Sequence, residues 1–297
     1  MVNPGGRAAP SAPIIPTSVH APLPRYVEIE TSRKCNRTCR WCPNGEHPVR
    51  RTQDLMPWGL YTSIVGQLGE LGYSGWLALH NYNEPLLNER LVDEITYARS
   101  RVPHGKPAIY SNGDVLRRDL FERLAAAGVA YLRITRYPHH AETPPSFDAI
   151  RTWLRQAGLT DRLAWDFRRV RQGLGAVADT GALRVEIISP HILATYNNRG
   201  GSVTTLPLAV TVRTAPCLMT ATSASIDYRG RMKMCCCVYP ESPSHARYVI
   251  GDLTQSSFRQ LWTSPQMAAY RTAHASADWS LSPACRACTQ PLPETRS

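Results

Sequence analysis

No stretch of this 297-residue chain approaches the ~18 consecutive apolar residues of a membrane-spanning helix, which excludes a helical membrane protein. Acidic residues are scarce, with 23 Asp and Glu against 34 Lys and Arg, and the formal charge is +11. That excess is mostly arginine scattered along the chain, and its clusters are as short as Arg168-Arg169-Val170-Arg171. A basic stripe interleaved with aromatic platforms is missing, which argues against nucleic acid as the partner. A solvated surface, or a positive field drawing an anionic substrate, accounts for the charge. The first 24 residues carry six prolines and no uninterrupted apolar core of a secretory signal, so residues 1–24 read as a disordered lead-in. A disulfide framework is lacking too. The nine cysteines are odd in number, and three are adjacent at Cys235, Cys236 and Cys237. The tight spacings of the others favour metal binding in a reducing compartment, hence the cytoplasm.

What is present is alternation. Strand-like Tyr26 to Glu30, Trp76 to His80, Ala108 to Ser111, Val129 to Thr135 and Leu183 to Ile188 are interleaved with helical patterns. The helices begin near Pro57 and run over Asn88 to Ser100, Arg117 to Ala127 and Phe147 to Ala157. Leu159 to Thr180 is ambiguous, with Ala164 to Val170 as one more possible strand. Consecutive βα units predict an α/β fold with a parallel sheet and ligands at its carboxyl ends. From about Pro207 the rhythm changes. Ser223 to Tyr228 and Arg231 to Cys235 flank Arg229-Gly230 as a hairpin, and a helical stretch from Ser257 to Tyr270 is interrupted at Pro265.

Cys35-Asn-Arg-Thr-Cys39-Arg-Trp-Cys42 places three thiols in one loop after the first strand. Structural zinc is normally closed by four ligands, and no fourth stands nearby. A cubane iron–sulfur cluster held by three cysteines keeps one iron open, as a catalyst requires. The motif resembles that of the radical S-adenosylmethionine (SAM) superfamily, in which the open iron is chelated by SAM and the reduced cluster yields a 5′-deoxyadenosyl radical. The resemblance implies a partial (β/α)6 TIM-like barrel and places Trp41 near the adenine. Asn83-Glu84-Pro85 matches the stretch that binds the methionine amino group, with Asn where Gly is usual. Ser111-Asn112 resembles the segment contacting ribose or carboxylate, and Thr135-Arg136 ends the next strand where the carboxylate is met. Taken singly, each is an ordinary turn or cap.

A second set, Cys217, Gly230, Cys235 and the pair Cys285-Arg-Ala-Cys288, supplies four thiols. Counting cysteines does not separate a closed cluster from four-cysteine zinc. The order of Asn198-Arg199-Gly200-Gly201, Cys217, Gly230, Cys235, Ile250-Gly251-Asp252-Leu253, Leu261-Trp262 and Cys285/Cys288 resembles the SPASM/twitch extension. With nine residues after Cys288, it is the shorter twitch form with one auxiliary [4Fe-4S] cluster, a β-hairpin plus helix. The expected division is 1–24, a radical SAM core at 25–206, and a twitch domain at 207–297. Cys236 and Cys237 are left over. One of them reads as a buried small apolar residue, with a swapped cluster ligand or hydrogen-atom donor as the sharper reading.

The resemblance implies an enzyme using SAM and two [4Fe-4S] clusters on a small polar metabolite of sugar, aminocyclitol or nucleoside type. The nearest likeness among short members is to the aminocyclitol dehydrogenases of antibiotic biosynthesis, with a flavodoxin or ferredoxin as electron donor. A radical epimerase would use the same cofactors. A ribosomal-peptide maturase would be expected to carry a peptide-recognition domain, for which the residues before the first strand are too few. A zinc-stabilised binding protein is the non-enzyme alternative.

Overall fold

The first strand, β1 (Tyr26–Ile29), shows what organises the molecule. Val27 and Ile29 are fully buried in the main apolar core, while Glu28, and Glu30 just beyond the strand, occupy the opposite face at the period-2 spacing of a pleat. In this computed structural model, which describes residues 21–46, 54–205 and 212–290, ten strands form one open sheet. After β1 come β2 (Trp76–Ala78), β3 (Lys106–Ser111), β4 (Tyr131–Thr135), β5 (Asp166–Val170), β6 (Gly173–Asp179), β7 (Arg184–Pro190), β8 (Ser223–Ile226), β9 (Arg231–Lys233) and β10 (Val249–Asp252). The order is β10-β9-β8-β1-β2-β3-β4-β7-β6-β5, and the six strands from β8 to β7 are mutually parallel. An open sheet with six parallel strands is the partial barrel expected.

The helices covering it are amphipathic. In α1 (Trp58–Glu70), Tyr61, Ile64, Val65 and Leu68 are buried at i, i+3, i+4, i+7. In α2 (Phe147–Ala157), Ile150, Trp153, Leu154 and Ala157 repeat that stripe. Ser146 caps α2 through the N–H groups of Asp148 and Ala149, and left-handed Gly158 ends it.

The structure adds to these expectations and changes one. The hairpin expected over 223–235 is present as β8–β9, and β8 also lies in parallel register beside β1, from Tyr26↔Ser223 to Ile29↔Ile226, where it supplies the sixth barrel strand. The further strand read over Ala164 to Val170 is present as β5, paired antiparallel with β6 in an excursion folded back on β7. Strand β6 was masked in sequence by Gly173 and Gly175, residues depleted in strands. A Cβ on Gly175 would meet Val170 Cγ1 at 2.8 Å, so a side chain there would collide with the adjacent strand. Finally, the lead-in assigned to 1–24 lies outside the described residues up to residue 20, but 21–24 are packed. Ala21 is buried, and the Pro22 carbonyl accepts the Trp262 indole N–H at 2.9 Å. The boundary set between 206 and 207 also lies outside the described residues.

Candidate active site

The carboxyl ends of β1 to β4 open into one cavity of about 940 Å³. Cys35, Cys39 and Cys42 line it from the loop after β1. That loop is tied down by Arg37, whose guanidinium holds both oxygens of Asp114 at 2.6 Å in a charge-assisted fork, and by Asn36, which donates to Asp114 at 3.0 Å. Burial opposes the charge on Asp114, but Arg37 and Arg136 hold its carboxyl below the usual range. The loop is also fixed to the end of β2, where the Glu84 N–H donates to the Lys34 carbonyl at 2.7 Å.

The three thiols suit an iron–sulfur cluster in the chemistry of their donors. Burial pushes Cys35 and Cys39 up to about 12 and raises Cys42, so each waits protonated for a metal to displace its proton. Among the described residues no three Cys, His, Asp or Glu side chains gather tightly enough to grip a single metal ion.

The expected SAM contacts gather here in part. Trp41, Asn83, Glu84, Ser111, Asn112 and Thr135 all line the cavity. Trp41 is buried with its indole N–H unpartnered, its ring 5.8 Å from Tyr137 and 6.2 Å from Tyr196. Glu84 clamps two strand ends together, accepting from Ser111 Oγ at 2.6 Å, the Asn112 N–H at 2.7 Å and the Leu86 N–H at 3.0 Å. Burial nevertheless lifts its carboxyl to about 7. Asn83 accepts from the Asn81 N–H. Pro85 and Arg136 fall off the wall. Pro85 opens a short 3-10 turn, and Arg136 turns away to Asp114 and the Asn112 carbonyl, over Trp153. Gly113, with φ +71°, closes the β3 turn, and its carbonyl accepts the Trp153 indole N–H at 3.0 Å.

Several wall residues carried no motif. Glu28 accepts from Asn81 Nδ2 at 2.8 Å and Ser225 Oγ at 3.0 Å, with His80 Nε2 at 3.3 Å. Burial would raise its carboxyl, but His80, Lys233 and Ser225 outweigh that and keep it low. His80 stacks on Tyr110 at 4.2 Å, and its Nδ1 is buried without a partner. Tyr26, Tyr110, Arg133 and Gln172 also line the cavity. The available signal was Glu28 and Glu30, two acids on one face of an otherwise apolar strand.

The second cysteine set lies beside the cavity. Cys217, Cys235, Cys285 and Cys288 stand within mutual electrostatic reach, and burial lifts Cys217 to about 11. Four thiols with no open position suit a closed cluster. Of the two spare cysteines, Cys236 lines the cavity, whereas Cys237 is buried away from it, which removes Cys237 as a hydrogen donor to anything bound there.

Comparison with known proteins gives two family matches: the radical SAM superfamily over residues 29–164, and an iron–sulfur cluster-binding domain, SPASM, over 217–289. The chain is 24% identical over 246 residues to the S-adenosyl-L-methionine-dependent 2-deoxy-scyllo-inosamine dehydrogenase of Niallia circulans, covering 82% of this chain and 84% of that one. Its fold matches BtrN crystallised with AdoMet and 2-DOIA, with a TM-score of 0.69, 23% identity, and 91% and 94% of the two chains covered. An open conformation of BtrN matches with a TM-score of 0.62 and 18% identity over the same shares.

Proposed function

From a chain that belongs to the radical SAM superfamily and carries a SPASM-type iron–sulfur domain, we propose a dehydrogenase that oxidises a secondary alcohol on a small polyhydroxylated ring. One observation carries this reading. A single cavity is walled by the cysteine triad, by a carboxylate–imidazole pair, and by Cys236, the neighbour of a second-set cysteine. The relative named above acts on an aminocyclitol, and its substrate class is carried over here as part of the proposal.

When bound, SAM and the two clusters supply the radical that removes the carbon-bound hydrogen and the acceptor for the electron left behind. The chain's own side chains then have a proton to remove and a ring to hold. In the Glu28–His80 pair on the cavity wall, the imidazole takes the hydroxyl proton. The ionised Glu28 stabilises the resulting imidazolium. Tyr26, Tyr110, Arg133 and Gln172 offer donors and acceptors to ring hydroxyls. A hydrogen atom, a proton and an electron together account for the two hydrogens lost. Nine free thiols suit a reducing cytoplasm, where a flavodoxin or ferredoxin delivers the priming electron.

The placement of Cys236 favours one second reading, an epimerase in which its thiol returns hydrogen to carbon. Turnover in deuterium oxide separates the two. A product two mass units lighter, with no deuterium on carbon, supports dehydrogenation. A product gaining one carbon-bound deuterium and otherwise unchanged refutes it.

A further inference from the structure

A four-ligand cluster leaves one thiol over at the second centre. The Val238 N–H donates to the Cys235 carbonyl at 3.1 Å, closing a β-turn with Cys236 and Cys237 at its central positions. The turn is pinned on the cavity side, where the Cys236 carbonyl accepts from Asn81 Nδ2 at 3.2 Å and Tyr82 Oη at 3.0 Å. The next side chain goes the other way. Cys237 is 4% exposed and packs in one cluster with Met234, Cys235, Cys285 and Cys288. Cys236, itself partly buried, packs against the same cluster. The hydrogen-bond partners of the Cys237 thiol are the side-chain oxygens of Gln290 at 3.7 Å and Asn197 at 4.0 Å, both long contacts for a thiol donor. Cys217, assigned to this site by motif order, stands outside that packed cluster and reaches Cys235 and Cys288 only through space.

We propose that Cys237 is a fifth thiol ligand of the C-terminal iron–sulfur centre, able to take one corner of the cluster in place of Cys217. The inference rests on that domain holding a cluster. It does not depend on the reaction. Soft thiolate is the ligand such a cluster takes, and Cys237 is a buried thiol packed with three of the four assigned ligands, Cys235, Cys285 and Cys288. Ligation there would place the cluster one peptide unit from Cys236 on the cavity wall.

The test uses the full chain with Cys35, Cys39 and Cys42 changed to Ser, which loads only the second centre, about four irons per chain. Into it go Cys217→Ser, Cys237→Ser, and both together. Each single change should retain at least about half of that iron and sulfide, and the double change less than about a tenth. Emptying by Cys217→Ser alone, to the level of the double variant, overturns the proposal. A second readout does not depend on how Cys217→Ser folds. If both corners are used, the reduced parent gives two overlapping paramagnetic signals, and Cys237→Ser leaves one. A single signal unmoved by Cys237→Ser overturns the proposal. A parent variant that binds no iron overturns the cluster reading of the domain itself, and the inference with it, which is distinguishable from either result.

Discussion

Replacing Glu30 with Gln should stabilise the protein, and increasingly so as the pH rises. Glu30 is 6% exposed, and its carboxylate accepts the Tyr82 N–H at 3.1 Å. Burial lifts its carboxyl from 4.5 to about 7; Lys233 offsets this in part, while Asp227 and Glu28 push the same way as burial. The Lys233 ammonium is engaged at Asn81 Oδ1, 2.7 Å away, so it is not spent on Glu30 alone. An acid with a raised value in the fold gives stability that is whole below 4.5 and is lost as the pH climbs through 7. At about 1.4 kcal/mol per pH unit the loss is about 1 kcal/mol at pH 5.5 and about 3 kcal/mol at pH 8. Gln keeps the shape and the acceptor for Tyr82 but never ionises. Anaerobic urea denaturation of the iron-loaded protein, followed by tryptophan fluorescence, should show the variant ahead by those amounts. A variant less stable than wild type at pH 8, or an advantage that does not grow between the two pH values, would refute the argument.

Two further outcomes follow from the cavity wall. Changing Cys35, Cys39 and Cys42 together to Ala should abolish SAM cleavage yet leave about half of the wild type's roughly eight irons, counted by iron and sulfide assay. Cleavage at the wild-type rate would remove the triad from catalysis. Gly113→Ala puts a Cβ 2.5 Å from Ile134 Cγ2 and 3.1 Å from Trp153 at φ +71°. Left-handed strain and overpacking should cost about 2–4 kcal/mol by chemical denaturation, and an unchanged midpoint would show that the turn yields freely.

The barrel was legible because each βα unit writes its own local pattern, as in the buried stripe of α2 and its Ser146 and Gly158 caps. The cysteine triad was legible because its ligands lie within one loop. What escaped depends on distant segments meeting. Strand β8 carries no mark saying that it lies beside β1, some 200 residues earlier in the chain. Strand β5 was legible as a possible strand, but its partner β6 was hidden by glycines whose role appears only once β7 is in place. His80 is an unremarkable strand-end histidine until Glu28 stands 3.3 Å away. Arg136 had the right position in sequence, but Asp114 captures its guanidinium, because a charge-assisted pair outcompetes an open cavity for a flexible side chain.

The pairing of β8 with β1 bears on how two metal centres can serve one reaction. An appended domain on a linker would leave their separation to thermal motion. Here the triad follows β1 and Cys235 follows β9, with β8 hydrogen-bonded between those strands, so the sheet itself sets the spacing. Tyr82 makes the same connection from inside. Its N–H is held by Glu30 and its hydroxyl by the Cys236 carbonyl, while Arg199 and Lys233 lie over its ring at 5.7 and 5.2 Å. Electron transfer falls steeply with distance, so a substrate radical held in this cavity would find its acceptor at a distance fixed by backbone pairing. Loosening Tyr82 would therefore disturb both centres at once.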